Sequence, residues 1–311
     1  MIEKKYSRIL VVSDGMKSSE PTHETAFNLA KTHNAQVMLV DSVKPPSALS
    51  QWLSANASDV FEMVIADKQD RLEKVAERFR ESGVDVTTKV LFGTSSEVIS
   101  REAIDWEADL VVRYLKGIRS KFPGLFGSTA RALMRYCPVP VLLVGDTPID
   151  QPNVLACIDT EHDDSENQAI LNASAFLAQG EQQLRGLYCW EMYGADMLKK
   201  RMTESAFKEA LETAESTYRD SFDRFTNSHD LSEFGNGLNM EKGQPSEVIP
   251  QFCNHHSINV VVMCSASLNH PIGRLFGSTV ESVIEELPCA LLVVKPIGFE
   301  SKIEGSKVIS S

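Results

Sequence analysis

The residues best placed to do chemistry form a short stretch that occurs twice. Leu-Phe-Gly-Ser-Thr stands at residues 125–129 and again at 275–279, and each copy opens what reads as a helix. A helix start exposes unpaired backbone N–H groups at the positive end of its dipole, the arrangement that binds anions. Gly127 would let an anion approach the backbone, and the hydroxyls of Ser128 and Thr129 add hydrogen bonds. The plainer reading is a helix start that needs a cap and nothing more.

The surroundings of the two copies differ in charge. Ser128 is followed three residues on by Arg131, and the preceding stretch carries Arg113, Lys116, Arg119 and Lys121. The same spacing from Ser278 gives Glu281, an S-x-x-E capping box that satisfies the helix's own N–H groups and repels phosphate. After the first strand, Asp14 leads into Gly15-Met16-Lys17, whereas Asp159 leads into Glu161, Asp163, Asp164 and Glu166. Like charges facing a polyphosphate make a poor site. An anionic ligand is therefore expected in the first copy, with the second copy (Asp159, Gly277, Ser278, Thr279) degenerate. Asp14 could equally do no more than start a turn, and the basic loop could be a solvated one.

No catalytic set is expected. Cys253, His255, His256 and Cys264 do not follow a standard zinc spacing, so no metal is expected. The other histidines, His23, His33, His162, His229 and His270, form no constellation in sequence. There is no G-x-S-x-G elbow, no G-x-x-x-x-G-K-[ST] loop and no H-E-x-x-H helix. The six cysteines include no C-x-x-C and sit in apolar contexts, as reduced core thiols of a cytoplasmic protein would. A formal charge of −12 argues against general nucleic-acid binding, and no apolar run is long enough to insert in a membrane. Residues 1–150 hold 19 Lys+Arg against 20 Asp+Glu, and residues 151–311 hold 12 against 23. The acidity thus belongs to the second half. The opening MIEKKYSRILVV reads as a strand rather than a signal peptide.

The elements that must position these residues also come twice. ILVVSD at 9–14 answers VLACID at 154–159, and GTSSEVI at 93–99 answers GQPSEVI at 243–249. Asp14 and Asp159 are offset by 145, Gly93 and Gly243 by 150, so the second copy carries five extra residues between those anchors. The pattern predicts strands at Arg8–Ser13, Gln36–Val43, Asp85–Leu91, Asp109–Tyr114 and Val139–Val144. Helices are predicted at Glu20–His33, Asp59–Ser82, Ser95–Asp105 and from Ser128. Alternating strands and helices with near-continuous apolar strands mean a parallel sheet covered on both faces. The expected fold is α/β, two tandem doubly wound domains of five parallel strands each, at 1–148 and 152–297, with a tail at 298–311.

In such sheets ligands bind beyond the carboxyl ends of the strands where strand order reverses. With the first strand central, that crevice lies between the loop after Asp14 and the loop 115–126 that runs into Gly127-Ser128. Here the chain resembles the universal stress protein family, in particular its tandem, E-type members. Their nucleotide-binding branch carries G-x-x-G, nine residues, then G-[ST]. Gly117, nine residues and Gly127-Ser128 match its latter part, with Tyr114 in place of the first glycine. In the second half Gly277-Ser278 remains, while Cys264 and Ser267 replace the upstream glycines.

The resemblance spans the whole chain and implies a Rossmann-like fold and a stress-response binding or signalling module. It implies ATP or AMP with Asp14 and the Val43 backbone at the adenine, and Gly117, Gly127, Ser128 and Thr129 along ribose and phosphate. Arg119 belongs to the same expected site, through the basic loop. It further implies pairing of Pro140–Val144 with Ala290–Lys295 in an internal pseudo-dimer, with a homodimer as a further option. Two other classes stay open: a binder of non-nucleotide, for example lipid-like, ligands or an interaction scaffold, and a nucleotide-processing enzyme of a related fold.

Overall fold

A computed structural model describes residues 6–13, 19–46, 57–115, 127–160, 164–178, 183–235, 237–265, 278–301 and 303. The first half runs β1 (Arg8–Val12), α1 (Glu20–His33), β2 (Gln36–Val43), α2 (Ala57–Glu81), β3 (Val86–Phe92), α3 (Ser95–Asp105), β4 (Leu110–Tyr114), α4 (Ser128–Tyr136) and β5 (Val141–Val144). The second half repeats the order of the described elements, with a helix, Ala195–Arg201, in a stretch whose first-half counterpart lies outside the described residues. It runs β6 (Val154–Ile158), α5 (Asp164–Leu177), β7 (Leu184–Trp190), α6 (Ala195–Arg201), α7 (Glu204–Ser228), β8 (Leu238–Lys242), α8 (Pro245–His255), β9 (Val260–Cys264), α9 (Ser278–Glu286) and β10 (Ala290–Val294).

The ten strands form one sheet in the order β3-β2-β1-β4-β5-β10-β9-β6-β7-β8. Each half contributes five mutually parallel strands, but the expected pair of five-stranded sheets is in fact a single ten-stranded one. The join is the antiparallel pair β5–β10, with Val141 opposite Val293, Leu142 opposite Leu292 and Leu143 opposite Leu291. The segments expected to pair do so. Physically, two apolar edge strands, each buried on both faces, leave unpaired N–H and C=O rows that only another strand can satisfy.

Period-2 alternation along the strands builds a core on each face. Ile9, Val11 and Leu39 pack on one face with Leu29, Leu72 and Phe79 of the first half and Ile170, Leu177 and Phe225 of the second. Leu10, Val12 and Val40 face the other way, toward Ile99, Leu133, Phe252 and Ile284. Both cores run across the junction, and Tyr6 meets Phe176 with ring centroids 5.6 Å apart.

The net gain of five is one residue fewer before the first helix and three more in each of two later places. The offset is 144 at the first helices (Glu20 against Asp164), 147 at the second (Ala57 against Glu204) and 150 at Gly93 and Gly243. The additions therefore fall before β7 and before β8, where a 3₁₀ turn, Ser232–Phe234, has no counterpart in the first half. The recurring G-x-x-S-E-V motif has a structural reason. Gly93 and Gly243 sit at φ 139° and 140°, and a Cβ there would lie 2.7 Å from Val98 and 2.8 Å from Val248. Each glycine lets the following helix fold tightly back onto the end of its strand.

Candidate functional site

β1 has β2 on one side and β4 on the other, so strand order reverses at β1, the position at which parallel sheets of this kind bind ligands. Ser13 closes β1, with its N–H bonded to Val40 O at 2.8 Å. Its buried hydroxyl lies 2.7 Å from His23 Nε2, one turn into α1. The fourth residue of the matching helix in the second half, Asn167, also reaches back to its strand end. Its Oδ1 accepts from Asp159 N–H at 3.0 Å, and its Nδ2 donates to Asp159 O at 2.6 Å. In both halves the first helix is tied to the end of the first strand, by an imidazole in one and an amide in the other. Sequence reading missed both ties. The signal was a polar residue able to hydrogen-bond at the fourth position of each helix, His23 and Asn167, both on the buried face.

Beside β1 stands β4, which α4 follows. Tyr114 stands opposite Val144 of β5 and donates its hydroxyl to Asp146 Oδ1 at 2.7 Å. The phenol is thus held toward the β5 side of β4, away from β1. α4 starts at Gly127, with φ −54° and ψ 138°, and Arg131 N–H donates back to Gly127 O at 3.2 Å. No side chain caps this helix start, its first turn holds no acid, and Gly127 and Ser128 are exposed with Thr129 half-buried. Among the described residues nothing lies within 4 Å of where a Gly127 Cβ would be. Val43 ends β2 buried, and its carbonyl already accepts from Gly93 N–H at 3.0 Å. Asp14, Gly117 and Arg119 lie outside the described residues, as does Gly277.

The second half presents a different set of charges. Asp159 is half-buried with both backbone groups fixed by Asn167. Burial, then the carboxylates of Glu241 and Asp159, push the Cys189 thiol up to about 12. Two carboxylates therefore act on the same spot at the end of β7, where a polyphosphate would meet repulsion. Ser278 and Thr279 open α9, but their side chains, like that of Glu281, lie outside the described residues. His229, unassigned from sequence, bonds through Nε2 to Asp164 Oδ1 at 2.7 Å and joins α7 to α5.

Among the described residues no group of three or more His, Cys, Asp or Glu side chains could hold a metal ion. The Ser13–His23 pair has the composition of a nucleophile and a base. With both side chains buried, at 0% and 3% exposure, the pair acts as a helix-to-strand tie rather than as a surface a substrate could reach. All six cysteines are free thiols, and no described helix is long and apolar enough to cross a membrane.

A family profile described as the universal stress protein family matches residues 5–145 and again 152–295. Proteins named universal stress protein E from Salmonella typhi and from Escherichia coli K12 are each 24% identical over 315 residues, covering 96% of this chain and 97% of theirs. A universal stress protein E homolog of Haemophilus influenzae Rd is 22% identical over 318 residues, covering 94% and 98%. Among solved structures, a functionally unknown protein from Pseudomonas aeruginosa PAO1 superimposes with a TM-score of 0.66 at 19% identity, covering 94% of each chain. A universal stress protein from Archaeoglobus fulgidus gives 0.60 at 16% identity, covering 93% of this chain and 98% of that one.

Proposed function

The chain belongs to the universal stress protein family in both of its halves, and from that membership we propose that it is a cytoplasmic stress-response binding module. Its units are 1–148 and 152–297, and the first holds an adenine nucleotide, ATP or AMP. The nucleotide lies in the crevice between β1 and β4, with its phosphates at the start of α4. The observation that supports this reading is the uncapped, acid-free N-terminus at Gly127-Ser128-Thr129, on the helix that follows β4, the neighbour of β1 where the strand order reverses. Arg131 adds a positive charge on the same first turn. The second half is degenerate in this reading, supported by the carboxylates of Asp159 and Glu241 acting on one spot.

The test is nucleotide binding by the purified protein, with co-purified ligand identified by mass spectrometry. Gly127→Glu places a carboxylate at the helix start, where no described atom lies within 4 Å of the new Cβ, and is expected to abolish ATP and AMP binding without unfolding the chain. Gly277→Glu is expected to leave binding intact. Equal loss from both variants would sink the assignment to the first half. Native protein that takes up no nucleotide would favour the scaffold or non-nucleotide binder instead. Turnover of ATP well above background would move the protein to the enzyme class.

A further inference from the structure

The antiparallel join places the end of each half's last strand beside the C-terminus of the other half's last helix. Leu142 and Leu292 face one another as equivalent residues, so Gly145 and Lys295 occupy matching positions just past β5 and β10. Leu115 and Ser265 match likewise, their N–H groups donating to Val144 O and Val294 O. The two sides are chemically unlike. Gly145 and Leu115 offer no polar side chain to α9. Lys295 Nζ donates to Met134 O and to Ser265 Oγ, and Ser265 Oγ donates to Met134 O at 2.9 Å. Past Lys295 the chain continues over the same helix end. Ser301 Oγ donates to Tyr136 O at 2.8 Å, and buried Phe299 lies with its ring centroid 5.3 Å from Lys295 Nζ.

Met134 and Tyr136 belong to the last turn of α4, whose carbonyls have no partners within the helix. We propose that the segment Lys295–Ser301 of the second half is a one-way clamp on α4, and that the Lys295 ammonium raises the anion affinity of the open end of that helix. This rests on the reading of α4 as the ligand helix. A cation at the C-terminus offsets the negative pole that would otherwise oppose an anion at the N-terminus. Six residues separate Met134 from Ser128, roughly 9 Å of helix, so the charge acts through a low-dielectric path on the same ligand. The degenerate half thus serves the site in the other half. The titratable groups facing Lys295 are the thiols of Cys137, after α4, and Cys264, at the end of β9. Burial holds the Cys137 thiol up. Burial also lowers Lys295 itself, to about 8, so its charge is lost just above neutral pH.

The test is ATP affinity of the full chain between pH 7 and 9, beside amide hydrogen exchange in α4. Lys295→Met is expected to bind ATP roughly three- to tenfold more weakly at pH 7. The native protein is expected to lose a similar factor on going to pH 9, and the variant to lack that step. A variant with native affinity and a native pH profile overturns the proposal and leaves nucleotide binding standing. Should the native chain bind no ATP, the nucleotide reading falls by itself and exchange decides the clamp. Faster exchange in α4 of Lys295→Met and Ser301→Ala upholds it, and unchanged exchange overturns it.

Discussion

Lys295 is 6% exposed and has no carboxylate among its interaction partners in the described residues. Burial lowers its pKa in the folded state to about 8, against about 10.4 for a lysine in the unfolded chain. The unfolded chain therefore holds the proton more tightly, and the cost of the buried charge is complete below pH 8. It is relieved as pH rises from 8 toward 10.4, so Lys295 makes stability increase across that window, by an amount on the order of 3 kcal/mol. The buried thiols act oppositely. Cys137, Cys157 and Cys189 resist ionisation in the fold and lose stability once the unfolded thiols ionise. The isolating measurement is the difference in urea unfolding free energy between native protein and Lys295→Met. Native protein should gain on the variant between pH 8 and 10, and a pH-independent difference would remove the charged lysine from the argument.

At the scale of the element, the turns that start α3 and α8 have a stricter requirement than the turn that starts α4. Gly93 combines φ 139° with Val98 Cγ1 2.7 Å from a would-be Cβ, whereas Gly127 has an ordinary φ and no described atom within 4 Å of a would-be Cβ. Gly93→Ala should cost about 1–3 kcal/mol of stability, and Gly243→Ala a similar amount. Gly127→Ala should cost less, about 0.5–1 kcal/mol, because alanine is a poorer N-cap than glycine but meets no positive φ there. Chemical denaturation of the three variants checks the ranking, and a Gly127→Ala as costly as Gly93→Ala would contradict it. The same contrast gives α4 its place in the functional reading. Its glycine has an ordinary φ, and among the described residues no side chain caps its first turn, which is what the functional reading uses.

Over the whole molecule, the continuous sheet and the two shared cores leave no plane along which one half could unfold without exposing the other's edge. Unfolding should therefore be a single transition. Of the three tryptophans, Trp106 follows α3 in the first half and Trp190 ends β7 in the second. With Trp52 and one of these changed to Phe, the remaining indole reports its own half. Coincident denaturation midpoints from the two reporters are expected, and separated midpoints would show halves that fold independently. Leu142→Asp, in the middle of the β5–β10 pair, puts a charge into a fully buried position and should destabilise both reporters together.

Periodicity and repetition were enough to set the order of elements and the repeat, because these depend on local spacing; the pairing of the last strands came from the family resemblance, and edges that cannot stay unpaired are its physical reason. Glu20–His33, Gln36–Val43 and Ser95–Asp105 run between the residues the sequence pattern predicts. The contrast between Arg131 and Glu281 was legible for the same local reason: both lie on the first turn of a helix. Only the tertiary structure decided that ten strands make one sheet, that His23 and Asn167 tie helix to strand, that Tyr114 turns to Asp146, and that Lys295 clamps α4. The separations run from 8 positions for Asn167 and Asp159 to 161 for Lys295 and Met134, and no helix or strand period records which partner a buried polar group will find. Sequence marks where a polar group is unusual; packing selects its partner, because a buried donor must be satisfied by whatever acceptor the fold brings within reach.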